Sequence, residues 1–547
     1  MAPEDSRARA RTRTRTDAGT TVRAIGLFTA VLLTAGLIAA CSDSGGDGDA
    51  APKPVPVPSS PRTSASRSAD ATPRADALPA LPSALTGQRL HWGRCEGTAS
   101  TPAPGSDWRC ATLKVPLDYT RPTGRTIGLA LIRATSRGAG EERIGSLLFN
   151  FGGPGGSGVD LLPAFAPQYA KLRARYDLVS FDPRGVGASR GVRCRSDKAV
   201  QAAESIDVTP DTAAEESAYF KDATAFGQGC EKQAGELLSH VSTIEAARDM
   251  DLMRQVLGDD KLHYMGVSYG TELGGVYAHL FPGKVGRLTL DAVVDPTVGT
   301  VGHSENQARG FQRALDDYFT SRGSDPKAGS RKIAALLKRL DAKPLHTASG
   351  RELNESLATT GILVTLYRKT SWPALTRGLR AADRGDGTAL LALADSYNDR
   401  DTKGHYGTTT HAQRAISCLD DKERPTAARA KSLLAKFRAI SPVFGEAMAW
   451  DTAGWCHDWP VAGLWDHPEV SAPGAAPVLV VGNTGDPATP YEGARKMADE
   501  LGKGVGVELT WKGEGHGAYG SGSACVDSTV NAYLLEGRIP RDGRVCS

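Results

Sequence analysis

The chain is poor in aromatic residues and carries almost no net charge. Phe, Trp and Tyr make up 6% of the 547 residues, and the formal charge is +3 at pH 7. Six Arg and three acidic residues in the first 40 positions account for all of that excess, so the remainder from Cys41 onward sums to zero. Without a net positive field, nothing drives nonspecific binding to a phosphate backbone, and we expect no nucleic-acid partner.

Sequence motifs for metal binding are also lacking. The 9 Cys include no Cys-x-x-Cys pair and the 11 His form no cluster, which argues against a zinc site and leaves no metal or organic cofactor predicted. Hydrophobic residues make up 40% of the chain and charged residues 23%. These shares are ordinary for a globular protein and exclude a wholly disordered or multispanning chain.

The N-terminus is typical of an export signal. An Arg-rich stretch is followed by the uncharged segment 24–40 and then by Cys41. Residues 37–41, Leu-Ile-Ala-Ala-Cys, resemble a bacterial lipobox, so we predict a lipoprotein signal peptide over 1–40 and lipid attachment to Cys41. The protein would then be exported and would face outward from the cell membrane, or be released. A plain secretory signal or an uncleaved anchor helix is the alternative.

The segment after the signal predicts a stalk followed by a disulfide-bonded region. Residues 41–85 are rich in Ser, Gly, Ala, Asp and Pro and cannot bury enough apolar surface to fold, so we expect a disordered linker. Eight further cysteines, an even number, suggest disulfides in an exported chain, with free buried thiols as the alternative. Sequence alone leaves the pairing open, although a Cys525–Cys546 bond would pin the C-terminal tail. The candidates are Cys95, Cys110, Cys194, Cys230, Cys418, Cys456, Cys525 and Cys546.

Apolar runs that stop at Gly-rich or polar turns predict buried strands. Ser242-Thr-Ile-Glu245 is a capping-box pattern that predicts the start of a helix. Strands that alternate with helices in this way favour a mainly parallel α/β sheet. The predicted strands are 146–151, 176–181, 262–265, 287–291, 476–483 and 507–511.

A nucleophile motif follows one of these strands. Residues 266–270, Gly-Val-Ser-Tyr-Gly, satisfy G-x-S-x-G, in which a sharp strand-to-helix turn exposes the Ser hydroxyl. In a chain with 62 Gly the pattern could arise by chance, but a strand precedes it and a small-residue helix follows. We predict Ser268 as the nucleophile. The amides of Tyr269 and Gly153, with Gly152 as the alternative, would hold the oxyanion.

The order nucleophile, acid, base then predicts the other two members of a triad. Asp486 follows the strand 476–483, and His516 lies between glycines after the strand 507–511. We predict these residues as acid and base. Glu514 and Asp527 are competing carboxylates. His263, within a strand, and His279, within a helix, are interpreted as structural.

Six segments are similar to the secreted tripeptidyl aminopeptidases, a branch of the prolyl-aminopeptidase-like serine peptidases. They are 110–119, 152–158, 182–189, 266–271, 485–490 and 515–517. The resemblance covers about residues 88–547. Phe151, before the glycine loop, and Glu272, after the elbow, depart from the usual pattern.

This resemblance implies an α/β-hydrolase fold with a mainly parallel central sheet and an inserted helical cap. The core would comprise residues 86–296 and 466–547. The cap would be the helix-rich stretch 297–465, which would cover the active site and limit the substrate. An inserted structural subdomain with no part in recognition is the alternative interpretation.

Together these features predict an extracytoplasmic serine exopeptidase that releases short peptides, most simply tripeptides, from the N-terminus of peptides through an acyl-enzyme. Such an enzyme needs an acidic group for the substrate's α-ammonium. Glu305, at the entrance to the cap, is the first candidate and Glu272 the second, although each could be an ordinary solvated carboxylate. A carboxylesterase acting on small acyl esters is the main alternative, and a noncatalytic surface binding lipoprotein is the other.

Overall fold

The structure, a computed structural model, describes residues 78–97, 102–138 and 142–547. The predicted signal peptide, Cys41 and most of the predicted linker lie outside the described residues. Among the helices of those three ranges, none has both the length and the apolar character needed to cross a bilayer.

The described chain alternates strands and helices. The strands are β1 (Gly93–Arg94), β2 (Arg109–Pro116), β3 (Thr126–Ala134), β4 (Gly145–Asn150), β5 (Tyr176–Phe181), β6 (Leu262–Val267), β7 (Val285–Asp291), β8 (Leu345–His346), β9 (Glu352–Leu353), β10 (Val478–Gly485), β11 (Gly506–Glu514) and β12 (Arg544–Cys546). The first eight α-helices are α1 (Ser83–Thr86), α2 (Gly158–Phe165), α3 (Asp197–Ala203), α4 (Ala213–Ala234), α5 (Thr243–Leu257), α6 (Tyr269–Leu280), α7 (Thr300–Thr320) and α8 (Pro326–Ala342). The others are α9 (Glu355–Leu366), α10 (Trp372–Asp383), α11 (Thr388–Tyr397), α12 (Thr409–Asp420), α13 (Ala427–Ile440), α14 (Gly445–Gly454), α15 (Glu492–Leu501) and α16 (Ala524–Glu536).

One sheet organises the molecule, and its strand order is β1-β2-β3-β5-β4-β6-β7-β10-β11-β12. The pairs β1–β2, β2–β3 and β3–β5 are antiparallel. Every neighbouring pair from β5 to β12 is parallel. The prediction of a mainly parallel α/β sheet is therefore confirmed. The short strands β8 and β9 pair with each other outside this sheet.

The central strands are buried on both faces. All six residues of β4 and of β5 are buried, as expected for strands that read as continuous apolar runs. Leu148 and Val179 belong to one apolar cluster, whereas their neighbours Leu147 and Leu178 belong to another on the opposite face. This alternation follows from the two-residue period of a strand, and helices cover both faces.

Helices α7 to α14 form an insertion between β7 and β10, which we call the helical insertion (residues 300–454). It has an apolar core of its own, to which Phe311, Leu337, Ile362 and Leu375 belong. The helix α12 is different, because its residues Ala412 to Leu419 join the cluster beneath the sheet. The insertion is thus a separate layer that remains anchored to the core.

Four disulfides connect described cysteines, each with its neighbour in sequence. Cys95–Cys110, Cys194–Cys230, Cys418–Cys456 and Cys525–Cys546 span 15, 36, 38 and 21 residues. The last bond ties α16 to the edge strand β12, so the C-terminus is held against the sheet. The third bond ties α12 to the segment that follows α14.

Candidate active site

Ser268 lies at the turn between β6 and α6 with φ 59°. This conformation is rare for a residue other than glycine and is the strained turn that a nucleophile elbow requires. A Cβ at Gly266 would lie 2.2 Å from the Gly270 carbonyl oxygen, and one at Gly270 would lie 2.5 Å from that of Asn150. The two glycines of the motif are therefore explained by close approach of the backbone.

The loop after β4 lies against this elbow. A Cβ at Gly152 would lie 2.8 Å from the Ser268 Cβ and 3.1 Å from the Tyr269 nitrogen. The Gly152 amide donates to Asn150 Oδ1 at 3.0 Å, whereas the exposed Gly153 donates its amide to no acceptor within the described residues. This difference favours Gly153 over Gly152 as the partner of the Tyr269 amide, which opens α6 and is free of intrahelical bonds.

The predicted acid and base contact each other. Asp486 follows β10 directly and His516 follows β11, and these two strands are neighbours in the sheet. The imidazole Nδ1 lies 2.9 Å from Asp486 Oδ1 and 3.1 Å from Oδ2. Asp486 is fully buried, and its carboxylate also accepts from the amides of Ala488, Thr489 and Gly517 at 3.0, 2.9 and 3.2 Å.

The surroundings of His516 favour its charged form. Burial opposes the imidazolium, but attraction to Asp486, the hydrogen bond to that carboxylate and the charge of Asp291 together raise the pKa of His516 above its usual value. Such an imidazole is a strong base that can accept the proton of a serine hydroxyl.

Asp291, at the end of β7, connects the elbow to the His516 loop. Its carbonyl oxygen accepts from the Ser268 amide at 3.1 Å. Its carboxylate accepts from the amides of Ala518, at 3.0 Å, and Tyr519, at 2.9 Å. Burial raises the pKa of Asp291 to about 6, an effect that these two amides oppose. From the sequence, Asp291 is interpreted only as a strand end, although a carboxylate that ends the strand after the elbow is a signal that could have found this role.

The helical insertion contacts the His516 loop, the loop at Gly153 and the end of β10. The carbonyl oxygen of Tyr367 accepts from the His516 amide at 2.8 Å, and its ring stands at 89° to the imidazole, with centroids 5.4 Å apart. Gln413 donates to the Gly153 carbonyl oxygen at 3.3 Å, and Arg313 donates to that of Thr484 at 3.0 Å. These contacts join residues that are far apart in the sequence, and no local pattern predicts them.

Neither of the two competing carboxylates contacts the candidate base. Asp527 accepts from the Gly520 amide at 2.8 Å, and Glu514 leaves one buried carboxylate oxygen without a partner in the described chain. Neither carboxylate bonds to the His516 ring.

The His263 ring accepts from the Arg287 amide at 3.1 Å, and burial lowers the pKa of His263 to about 4. His279 lies 2.7 Å from the Ser471 carbonyl oxygen.

The two candidate amine-binding carboxylates differ sharply. Glu305 already pairs with Arg309 at 2.7 Å and with Lys436 at 2.5 Å. Glu272, on α6, is half-buried and forms no hydrogen bond or ion pair with any residue that the structure describes. Burial, then the charges of Asp420 and Asp421, raise the pKa of Glu272 to about 8. Glu272 is therefore the carboxylate that lacks a cation.

Two other groups of side chains have a composition suited to a metal ion, each placing its ligand atoms within 4.8 Å of one another. They are Asp118, His240 and Glu245, and Asp207, Asp341 and Glu355. In the first group, Glu245 also pairs with Arg184 at 3.1 Å. Neither group includes Ser268, Asp486 or His516.

Comparison with known proteins identifies the family. Residues 441–546 match the family model described as "TAP-like protein". The chain is 36% identical over 490 residues to Serine protease Hip1 of Mycobacterium tuberculosis, which covers 84% of this chain and 91% of that protein. It is 36% identical over 497 residues to Carboxylesterase B of the same organism, with 87% and 93% covered. Tripeptidyl aminopeptidase of Streptomyces lividans is 30% identical over 496 residues, with 88% and 90% covered. The chain belongs to the tripeptidyl-aminopeptidase-like family of serine peptidases with the α/β-hydrolase fold.

Proposed function

We propose that this enzyme is an extracytoplasmic exopeptidase that removes short peptides, most simply tripeptides, from the free N-terminus of its substrates. The observation that carries the proposal is the arrangement of Ser268 on a strained elbow with a buried Asp486–His516 pair at the ends of β10 and β11. A serine hydrolase needs these three residues to form an acyl-enzyme on the serine and to hydrolyse it with water.

In the proposed mechanism Ser268 Oγ attacks the scissile carbonyl carbon while His516 takes its proton. Asp486 holds the imidazole by Nδ1 and stabilises the imidazolium. The amides of Tyr269 and Gly153 stabilise the oxyanion. His516 then protonates the leaving amine, and a water molecule hydrolyses the acyl-enzyme with the same base.

Recognition of the free amine is assigned to Glu272. Glu272 lies in the first turn of α6, the helix that begins directly after Ser268. With a pKa of about 8, its carboxyl group is mainly neutral at pH 7 in the free enzyme. A bound α-ammonium would shift the group to its ionised form, and Asp420 and Asp421 would add to the attraction.

Export is proposed on two grounds. The sequence from Arg7 to Cys41 has the order of a lipoprotein signal. The four disulfides suit an oxidising compartment and are rare in cytosolic proteins. Lipid on Cys41 would keep the folded domain at the membrane surface, at the end of the linker 42–85.

The test is hydrolysis of matched peptides with free and acetylated N-termini, with products identified by mass. We expect tripeptides to be released much faster from the free peptides than from the acetylated ones. An ion-paired ammonium at a partly desolvated site favours the free peptides by about 10-fold to 150-fold in kcat/KM. Equal cleavage of both sets would contradict the exopeptidase proposal.

A carboxylesterase is the second candidate, because one relative bears that name and the same triad serves both reactions. The discriminating measurement compares a free-amine tripeptide anilide with a p-nitrophenyl acyl ester. Turnover of the ester alone would establish the esterase.

A further inference from the structure

The segment that joins α9 to α10 brings cations to the His516 side of the site. Tyr367 holds the His516 amide through its carbonyl oxygen, so the next two residues, Arg368 and Lys369, lie close to the same loop. A Cβ at Gly515 would lie 3.6 Å from the Arg368 Cα. The position of this segment relative to the catalytic base is therefore fixed by backbone contacts.

The Arg368 guanidinium lies above the ring of Phe165, 5.8 Å from its centroid. Phe165 packs in turn on Phe151, with ring centroids 5.4 Å apart, and Phe151 precedes the oxyanion loop. Arg368 thus lies between that loop and His516. It pairs with no carboxylate among the described residues, and burial lowers its pKa. The positive charge of Arg368 lowers the pKa of His516, whereas the charges of Asp486 and Asp291 raise it.

A cleft of about 810 Å³ begins at Lys369, the residue that follows this arginine. Lys369 and Lys512 line it, together with Thr484, Trp511 and Glu514. The positive charge of Lys369 acts to lower the pKa values of Glu514 and Asp317. Among the described residues, however, neither of these carboxylates forms an ion pair with Lys369 or Lys512. The cleft therefore has cationic groups that remain available to a ligand.

The role of His516 determines which part of a substrate lies on the Arg368 side of the site. The leaving amine must receive its proton from His516, so the leaving peptide extends from the imidazole and away from the acyl group on Ser268. We propose that Arg368, assisted by Lys369 and Lys512, binds a carboxylate of the leaving peptide. This inference rests on the proposed exopeptidase function and specifies its substrates: peptides short enough to place their C-terminal carboxylate there, or longer ones with an acidic residue at that position.

The test uses pentapeptides that share their first three residues. One ends in a free carboxylate, one in an amide, and one is an amide with Asp in the leaving dipeptide. We expect the wild type to prefer the free acid over the plain amide by about 2-fold to 5-fold in kcat/KM, the upper part of the range of an exposed ion pair. A preference restored by Asp would assign the site to side-chain carboxylates as well.

Variants locate the binding group. Arg368→Gln is expected to bring the acid-to-amide ratio close to one, and Arg368→Lys to retain part of it. The ratio is measured within each variant, so a general loss of activity cancels. The matched control is Arg322→Gln, which removes a guanidinium from a similar contact with the Tyr318 ring, 5.8 Å from its centroid, and should leave the ratio unchanged.

The outcomes separate this inference from the proposed function. A tripeptide anilide has no carboxylate in its leaving group, so its hydrolysis reports the exopeptidase activity alone. If the anilide is cleaved but the wild type treats acid and amide alike, the carboxylate site is refuted. A full preference retained in Arg368→Gln refutes the assignment to Arg368. Failure to cleave the anilide or any free peptide refutes the proposed function instead.

Discussion

Replacing Asp486 with Asn leaves the volume of the side chain almost unchanged but changes what it offers its neighbours. Four donors meet the carboxylate, namely the amides of Ala488, Thr489 and Gly517 and the Nδ1–H of His516. A carboxylate can accept from all of them, whereas an Asn amide has one oxygen and one NH₂ group. Because the position is fully buried, water cannot replace the lost acceptor.

Two measurable losses follow. If the NH₂ group faces the imidazole, Nδ1 must accept a hydrogen bond from it. The proton of the neutral ring then lies on Nε2, which can no longer act as the base, and kcat falls by about 10⁴-fold. An NH₂ group in place of Oδ2 would also face the Gly517 amide. That buried amide would lose its acceptor, at a cost of about 1–3 kcal/mol in the free energy of unfolding. We therefore expect both effects.

The assay combines turnover of a tripeptide anilide with urea unfolding of the same preparation. Asp527→Asn is the matched control, because Asp527 accepts from the Gly520 amide near the same loop and should retain nearly normal turnover. Near-normal kcat in Asp486→Asn would refute the assignment of the acid. An equal loss in Asp527→Asn would show that loop order, rather than the acid, controls activity.

Four further predictions concern other residues. Ser268→Ala should lower kcat about 10⁶-fold with the fold retained by circular dichroism; substantial residual activity would exclude Ser268 as the nucleophile. Glu272→Gln should shrink the kcat/KM gap between free and acetylated peptides, while its control Glu305→Gln should preserve it; the reverse result would return the role to Glu305. Because the pKa of His516 is raised and catalysis needs the neutral ring, the acidic limb of kcat/KM should lie above about pH 6.5; a lower midpoint would contradict that environment. Cys41→Ser should abolish incorporation of a labelled fatty acid, and label retained on the variant would refute the lipobox.

The central strands and the elbow were predictable because each rests on a local pattern. The predicted strand 176–181 coincides with β5, and 262–265 lies within β6. Asp486 and His516 could be chosen because the fold fixes the order of the triad along the chain. Antiparallel β2 and β3 were not predicted, although both carry alternating buried residues.

Sequence alone assigned Glu245 to a capping box, and the structure changes that interpretation. Ser242 does accept from the Glu245 amide at 3.3 Å. The Glu245 carboxylate, however, turns toward Arg184 and His240, at 3.1 and 3.0 Å. A buried guanidinium from a distant part of the chain outcompetes one local backbone amide, and no short window of sequence contains that information. The reciprocal capping box forms instead at Thr212 and opens α4, a helix that sequence analysis left out.

The choice between Glu305 and Glu272 also depended on contacts between residues distant in sequence, and it bears on the distribution of charge around the candidate active site. Lys436, from α13, neutralises Glu305 across 131 residues of sequence, so its carboxylate offers little to a substrate. Glu272 keeps its carboxyl group unpaired on the elbow side, near Asp420 and Asp421, while Arg368 lies unpaired on the His516 side. A short peptide carries an ammonium at one end and a carboxylate at the other. If Glu272 and Arg368 have the roles proposed above, these charges favour the orientation in which the N-terminal residues become the acyl group. Electrostatics would then set the direction of cleavage.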